Sequence, residues 1–170
     1  MPIDSFKYVP RAMARKTQDD AREVQKIDPV PFTPLTKPVR ECRFALLTSA
    51  GIRLKSDTPF DIERELREPT WGDPGYRVLP KDVTQAEIAA DHLHTNNDIL
   101  LADVNTVFPI HRMQDLAAAG EIGSLAEEHY SFMGYQSDPV NIVPWRDQYG
   151  PEVVERMKRD HVDAVLLTPS

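Results

Sequence analysis

The stretch that decides the fold is the end of the sequence, residues 151–170, PEVVERMKRDHVDAVLLTPS. Its opening proline and the apolar residues Val153, Val154 and Met157 predict an amphipathic helix with those three side chains facing inward. The apolar run Ala164–Leu167 then predicts a buried strand that leads into a turn. A helix that feeds a buried strand is half of a β-α-β unit, so this stretch favours an α/β domain.

The rest of the chain repeats this alternation of apolar strands and amphipathic helices. Phe44–Thr48, FALLT, is a continuous apolar run, typical of a strand buried on both faces. Tyr76–Leu79 predicts a second strand, and Pro109–Ala119 predicts the clearest helix because proline suits its first turn. The order predicts an α/β fold of the doubly wound type, with a mainly parallel sheet that is incomplete at the C-terminus.

Four shorter segments are harder to assign from their pattern. Thr84 and Glu87 have the spacing of a capping box and predict a short helix. His92–His94 fits the end of that helix or a brief strand, and Ser124–Met133 predicts a short helix followed by a strand. The charged run Asp61–Pro69, DIERELREP, predicts a solvated face.

The two ends of the chain differ in composition. Residues 1–40 are polar, and Pro29–Pro38 holds four prolines, which favours an extended arm. Residues 41–170 form the predicted α/β domain.

Charge and hydropathy exclude several classes of function. The formal net charge of −7 over 170 residues argues against a nucleic-acid surface, which needs a basic patch. Apolar runs stay shorter than the roughly 18 residues of a membrane span, and the first residues lack the apolar core of a signal peptide. We therefore expect a cytoplasmic protein that binds neither nucleic acid nor membranes.

Cys42 is the one cysteine of the chain. It cannot form an internal disulfide, and alone it cannot build a thiolate metal site. Its position before an apolar run favours a structural residue, whereas the neighbours Arg40 and Arg43 keep a reactive thiol open as an alternative.

The densest polar cluster is Asp91–Asp98, DHLHTNND. On a strand, His92 and His94 would share one face, and two imidazoles with Asp98 or Asp103 as a carboxylate ligand could bind Zn²⁺. Substrate-binding histidines and structural loop histidines are the alternatives.

Two further segments hold candidate polar side chains. Asp103 and Asn105 are short side chains that can tie down a loop or orient a ligand. His129 and Tyr130 could line a pocket as hydrogen-bond donors, next to apolar residues that pack in the core.

Five stretches of the chain occur together in a familiar order and spacing. They are FALLTSAGIRLKSDTPFD, YRVLP, DHLHTNND, DVNTVFPIHRMQDLAAAGEIGSLAEEHYSFMGY and MKRDHVDAVLLTPS. From Arg43 to Ser170 they resemble the selenoprotein B family, the B-component proteins of the glycine, sarcosine, betaine and D-proline reductases. DVNTVFP and HYSFMG are the most specific parts, and the proline-rich segment before the first strand looks most like the D-proline reductase branch.

The resemblance implies an α/β fold and a reductive cleavage of a carbon–nitrogen bond in a small amine or amino acid. It implies that a selenocysteine, or a cysteine in selenium-free relatives, attacks the substrate and that a nearby thiol resolves the intermediate. It also implies partner subunits, one of which often carries a pyruvoyl group. In the family the nucleophile follows almost directly after the strand that here is Ala164–Leu167.

The chain departs from the family at that point, because it has no selenocysteine and no cysteine after Leu167. The hydroxyls of Thr168 and Ser170 cannot replace a chalcogenolate in redox chemistry. We expect the nucleophile just after Ser170. Truncation at a selenocysteine codon, which is also a stop codon, a separate chain that completes the domain, and a shortened binding homologue are the three explanations.

We therefore expect a subunit, or the N-terminal part, of a selenoprotein-B-like reductase that is inactive alone. The predicted substrate-binding residues are His92, His94, Asn96, Asp103, Asn105, His129 and Tyr130, with backbone donors from Ser49 and Gly51. Histidines and Tyr130 would bind the substrate carboxylate or relay protons to the leaving amine, and Asp103 and Asn105 would hold the loops. A non-catalytic assembly subunit and a metal-dependent enzyme using His92 and His94 are the alternatives.

Overall fold

The computed structural model describes Arg11, Ala14, Arg15 and residues 32–137 and 140–169. The chain divides into two units, Met1–Pro34 and Leu35–Ser170, and the elements below belong to the second unit. Most of the predicted arm and Ser170 lie outside the described residues, so the arm's extent stays a prediction.

In the second unit, the described residues form seven strands and four α-helices. The strands are β1 Arg43–Thr48, β2 Ile52–Leu54, β3 Tyr76–Pro80, β4 Ile88–Ala90, β5 Ser124–Leu125, β6 Glu128–Phe132 and β7 Ala164–Thr168. The helices are α1 Ile62–Arg67, α2 Asn97–Ala102, α3 Ile110–Ala118 and α4 Gly150–Arg159. Short 3-10 turns span Val39–Glu41, Gln85–Glu87 and Val104–Thr106, and a π-helical turn, Trp145–Tyr149, leads into α4. Within the described part of the chain, every helix is too short or too polar to cross a bilayer.

β1 is the centre of the main sheet. It pairs in parallel with β7 along its length, from Phe44↔Ala164 to Thr48↔Thr168. On its other side it pairs in parallel with β5 and then with β6, which act as one interrupted strand. β3 adds to β6 in antiparallel orientation, and β2 and β4 form a separate antiparallel pair. The domain is thus mixed α/β with a mostly parallel sheet, and the doubly wound type stays a prediction.

The side chains of β1 point alternately to the two faces of the sheet, and a helix packs against each face. Leu46 faces one core cluster together with Ile110 of α3. Ala45 faces the other cluster together with Tyr130 and Val153, and Val153 belongs to α4. A central strand buried on both faces is what its continuous apolar run predicts.

The strongest sequence signals are confirmed. The predicted strands at Phe44–Thr48, Tyr76–Leu79 and Ala164–Leu167 are β1, β3 and β7, and the predicted helices are α3 and α4. Val154 is the exception within α4, because its side chain is exposed rather than inward.

Three of the weaker assignments are confirmed only in part. The capping box of Thr84 and Glu87 forms, but the helix lasts one 3-10 turn before the chain enters β4 to pair with β2. Ser124–Met133 contains the predicted strand as β6, but β5 takes the place of the predicted helix. The charged run at 61–69 contains α1 and is largely exposed, as predicted, but one of its glutamates, Glu65, is buried.

Candidate functional site

The candidate site lies at the edge where three parallel strands end. Thr48 at the end of β1 pairs with Ser131 of β6 on one side and with Thr168 of β7 on the other. The strands β1, β6 and β7 therefore present their carboxyl ends side by side. In open α/β sheets this edge is where ligands bind.

The chain leaves β1 through the tight turn Ser49–Gly51, which stays bound to the neighbouring strands. The Ser49 N–H donates to the carbonyl of Thr168 over 3.2 Å, and the Gly51 N–H donates to the carbonyl of Phe132 over 2.9 Å. Gly51 has a φ of +61°, a left-handed conformation that favours glycine. Both predicted backbone donors are thus occupied by the protein's own carbonyls in this structure.

The loop before α3 is fastened to the same edge by two hydroxyl groups. Thr48 Oγ1 donates to the carbonyl of Val107 over 2.8 Å, and Thr168 Oγ1 donates to the same carbonyl over 2.6 Å. The DVNTVFP stretch therefore lies at the carboxyl ends of β1 and β7.

Asp103 and Asn105 serve as caps within that loop. Asp103 Oδ1 accepts from the backbone N–H of Asn105 over 3.0 Å and from its side-chain amide over 2.8 Å. These bonds hold the pKa of Asp103 below its ordinary value, so its carboxylate stays ionised. Asn105 Oδ1 in turn accepts from the backbone N–H of His111 over 3.1 Å at the start of α3. Holding the loop is visible here, and contact with a ligand stays a prediction for both residues.

His92 lies directly beside the turn after β1. It follows β4, in a turn and not in a strand, and its side chain is buried. A Cβ atom on Gly134 would lie 3.0 Å from His92 Nε2 and 2.9 Å from the carbonyl oxygen of Ser49, so the three residues converge on one point. Only glycine leaves that space open.

The protonation state of His92 follows from its surroundings. Burial first, and then the nearby His94, lower the pKa of His92 below 6.5. His92 Nδ1 accepts the backbone N–H of His94 over 3.1 Å. The neutral ring therefore carries its proton on Nε2, as a donor near the Gly134 gap.

His94 and Asn96 lie in the same turn as His92. The centroids of the two imidazole rings are 6.0 Å apart, and His94 Nε2 lies 2.9 Å from Glu65 Oε1. Asn96 Oδ1 accepts the N–H of Asp98 over 3.1 Å and so caps α2. The predicted residues His92, His94 and Asn96 thus lie in one turn, and His92 lies beside the end of β1.

Glu65 is the residue that sequence patterns missed at this site. Helical spacing from Ile62 would bury Leu66, yet Leu66 is 67 % exposed and the Glu65 side chain is 3 % exposed. The spacing of apolar residues does not reveal a buried glutamate. The nearby histidine His94, its partner, was the one feature of the sequence that could have indicated it.

His129 and Tyr130 lie elsewhere in the domain, on opposite faces of β6. His129 is fully buried against Phe108, and its Nδ1 accepts the backbone N–H of Leu46 over 3.0 Å. Burial lowers the pKa of His129 to about 4. Burial likewise raises the pKa of Tyr130 to about 12, and its hydroxyl donates to Glu128 over 3.2 Å. The structure therefore does not bring these two side chains to the turn of His92, and their contact with a substrate stays a prediction.

The comparison with known families identifies the family of the chain. The family model described as glycine/sarcosine/betaine reductase selenoprotein B matches residues 13–170. The chain belongs to this family.

Three relatives illustrate its place in the selenoprotein B family. The chain is 35% identical over 143 residues to the D-proline reductase subunit gamma of Acetoanaerobium sticklandii, which covers 84% of the chain and 54% of that protein. It is 28% identical over 144 residues to the glycine reductase complex component B subunit gamma of Carboxydothermus hydrogenoformans. It is 29% identical over 142 residues to the sarcosine reductase complex component B subunit beta of Peptoclostridium acidaminophilum.

The matches cover only part of the length of these selenoprotein B family relatives. The chain spans about half of the D-proline reductase subunit, and the match covers 83% of the chain but 31% of each of the other two proteins. No solved structure matches the chain.

The alternative of a metal-dependent enzyme that uses His92 and His94 lacks a third metal ligand among the described residues. No three His, Cys, Asp or Glu side chains among the described residues could hold a metal ion together. His92 Nδ1 and His94 Nε2 are each already engaged in a hydrogen bond.

Cys42 lies at the opposite end of β1 from the candidate site. Its thiol is free and buried, and the sulfur lies 3.4 Å from the carbonyl oxygen of Pro38. A strand rises about 3.3 Å per residue, so the length of β1 separates Cys42 from Ser49 by about 20 Å. A structural role fits this position, because the thiol is remote from the edge where the selenoprotein B chemistry is expected.

Proposed function

We propose that this chain forms one wall of the active site in a reductase that cleaves a carbon–nitrogen bond of a small amine or amino acid. The observation that supports it is the register of β1 and β7, whose carboxyl ends lie together beside the turn of His92. Ligands of open α/β sheets bind at this edge, so we expect the nucleophile and the substrate of a selenoprotein B family member there.

The substrate that we propose first is D-proline. The chain shares 35% identity with a D-proline reductase subunit, against 28% and 29% with the glycine and sarcosine reductase subunits cited above. Glycine, sarcosine and betaine are the competing substrates of the same chemical class.

The proposed nucleophile is a selenocysteine or cysteine that follows β7 in the polypeptide of the complete enzyme. An electron pair of the nucleophile's selenium or sulfur forms a bond to the substrate carbon. The carbon–nitrogen bond breaks, and its electron pair leaves with the nitrogen, which takes a proton. A second thiol then attacks the selenium or sulfur. The carbon–chalcogen bond breaks, and the carbon keeps the electron pair of that bond and takes another proton. The resulting selenium–sulfur or disulfide bond is reduced by a dithiol.

The chain's own side chains would bind and orient the substrate. His92, neutral with its proton on Nε2, would donate a hydrogen bond to the substrate carboxylate. His94 would relay a proton to the leaving nitrogen. Asp103 and Asn105 would fix the loop, and Asn96 would fix the turn. Direct contacts from His129, Tyr130 and the Ser49 and Gly51 amides belong to the same proposal.

Other parts of the proposal rest on the sequence and on the family. They are the remaining subunits of a reductase complex, a pyruvoyl group in one of them, a cytoplasmic location and a doubly wound sheet.

The test uses the purified reductase complex that contains this chain, with dithiothreitol as the reductant. Addition of two electrons and two protons across the ring carbon–nitrogen bond of D-proline gives 5-aminopentanoate, and the same cleavage of glycine gives acetate and ammonia. We expect 5-aminopentanoate to form at least about tenfold faster than product from the other three substrates. Product from none of the four substrates would refute the proposed function.

A histidine variant tests the proposed wall of the site. His92→Gln should lower kcat/KM by about 10- to 100-fold, the range of about 1–3 kcal/mol for a buried hydrogen bond to a charged group. His161→Asn is the matched control, since His161 is exposed and Asn tolerates its φ of +55°. Equal kcat/KM in the two variants would remove His92 from the site.

A second candidate is a non-catalytic assembly subunit. It is favoured by Leu167, which is 65 % exposed on β7, a strand that among the described residues pairs with β1 alone. This alternative predicts that the chain copurifies with partner subunits while His92→Gln leaves the activity of the complex unchanged.

A further inference from the structure

β7 forms an edge of the main sheet in the part of the chain that the structure describes. It pairs in parallel with β1 on one side, and no described strand lies on its other side. We propose that this edge docks a helix–strand unit from the part of selenoprotein B family polypeptides that this chain does not match. The added strand pairs in parallel with β7, and the helix before it packs beside α4.

The backbone of β7 offers hydrogen-bonding groups along this edge. The carbonyl of Thr168 accepts the Ser49 N–H over 3.2 Å, so the backbone groups of Thr168 point toward β1. Successive residues of a strand direct their backbone groups to opposite sides, so the N–H and C=O groups of Val165 and Leu167 point away from β1. An edge of this kind is a template for the addition of a strand.

The side chains of the same two residues leave an apolar surface uncovered. Leu166 packs against the core cluster on the α3 side of the sheet, so its neighbours Val165 and Leu167 lie on the α4 side. Val165 is 39 % exposed there and Leu167 is 65 % exposed. α4 therefore covers its face of the sheet over β1 but not over β7.

α4 turns a further apolar side chain toward this uncovered surface. The Arg156 guanidinium donates to Glu128 of β6 over 2.6 Å, so the side of α4 that holds Arg156 faces β6. A helix turns by about 100° per residue, which places Val154 about 160° around the axis from Arg156. Val154, which is 46 % exposed, thus lies on the side of α4 toward β7.

The connection before β7 indicates where the helix of the docked unit lies. The chain passes from β6 to β7 through α4, and these two strands flank β1 on opposite sides. A strand added beyond β7 continues in the same direction across the sheet. Helical connections between parallel strands are right-handed almost without exception, so the next helix belongs on the same face as α4. That face is where Val154, Val165 and Leu167 are exposed.

The relatives have the chain length for such a unit. The match covers 54% of the D-proline reductase subunit gamma and 31% of the glycine reductase component B subunit gamma cited above. A second copy of this chain is a poorer occupant. It would add another β7 without a helix above it, and Val165 and Leu167 of both copies would stay uncovered.

The first experiment measures backbone hydrogen exchange in β7 by mass spectrometry with residue resolution. It compares the 170-residue chain at low concentration with the purified reductase complex that contains it. Relative to the amide of Leu166, which points toward β1, those of Val165 and Leu167 should exchange at least about 100-fold more slowly in the complex, because they gain acceptors. Unchanged relative exchange at Val165 and Leu167 would overturn the inference.

The second experiment identifies the occupant by photochemical cross-linking in the same complex. The photoreactive amino acid p-benzoyl-phenylalanine is placed at position 154 of α4, and at position 66 as the control, because Leu66 is exposed on α1. Position 154 alone should cross-link to a helical segment that directly precedes an apolar strand, in sequence without a match in this chain. Cross-links to a second copy or to residues 1–34, or none specific to position 154, would overturn the inference.

A substitution tests whether the apolar surface contributes to docking. Val165→Lys places a charge under the docked helix, so the yield of chain that copurifies with the complex should fall at least about fivefold. Leu66→Lys should keep the wild-type yield, and circular dichroism checks that both variants are folded. Equal yields for the two variants would overturn the inference. No readout uses turnover, so a complex with the docked unit that cleaves none of the four substrates would refute the proposed function alone.

Discussion

The ring of His129 is held neutral by its burial beside β1, and this gives the domain a pH-dependent stability. The pKa of His129 is about 4 in the folded chain and about 6.5 when unfolded. Between these values the unfolded chain binds more protons, so stability is complete above about pH 6.5 and falls toward pH 4. The loss attributable to His129 should approach about 3 kcal/mol.

Urea unfolding at pH 7.5, 6 and 5 measures this dependence. His129→Asn keeps an acceptor for the Leu46 N–H but removes the titration, so its free energy of unfolding should change less with pH than that of the wild type. His161→Asn, at an exposed histidine, should keep the wild-type dependence. Parallel curves for wild type and His129→Asn would contradict the assignment.

Some residues of the candidate site could be recognised from the sequence, and others could not. His92 and His94 stand out as histidines in a polar turn, and the structure places both near the carboxyl edge. Glu65 could not be found this way, because burial of a glutamate depends on a partner 29 positions away. His129 could not be placed either, because residue type alone does not distinguish a donor in a pocket from one beneath a strand.

The loop before α3 illustrates how a polar motif holds an element in place. Asn105 Oδ1 accepts from the N–H of His111, and its amide donates to Asp103. Asn105→Ala should therefore lower the free energy of unfolding by about 1–2 kcal/mol, the usual cost of losing a helix cap.

Asp115→Ala on the same helix is the control, since its side chain is 73% exposed and its ion pair is expected to contribute little. Chemical denaturation of both variants measures the difference. If Asn105→Ala is no less stable than Asp115→Ala, the motif does not cap α3.

Elements with their own strong signal were predictable, and elements that depend on pairing were not. β1 and β7 are apolar enough to be recognised alone, and α3 and α4 have amphipathic spacing and a proline in or just before the first turn. β2 and β4 span three residues each and exist because they pair with one another. The same pairing ends the turn that begins at Thr84, which is why a genuine capping box did not yield a helix.

The sequence predicted the α/β class and the parallel core of the domain as a whole. It could not predict that β3 runs antiparallel, because strand direction depends on the path of the long connection between β2 and β3. It also did not reveal that β5 and β6 share one side of β1, since the interruption at Ala126 and Glu127 looks like a loop or a helix in sequence.

The outer position of β7 has a consequence for the assembly of the domain. Among the described residues β7 pairs with β1 alone, and its side chains Val165 and Leu167 are exposed on one face. An unpaired strand with exposed apolar side chains is a template for association with another chain. We therefore expect the isolated chain to self-associate as its concentration rises, and Leu167→Lys to suppress this.

Leu66→Lys is a closely matched control, because Leu66 on α1 is 67 % exposed and Leu167 is 65 % exposed. Light scattering over a concentration series should show a lower mean mass for Leu167→Lys than for wild type or Leu66→Lys. The free energy of unfolding of both variants should stay within about 0.5 kcal/mol of wild type, as for other surface substitutions. An equal fall in mass for both variants would mean that general surface charge, and not the edge of β7, controls association.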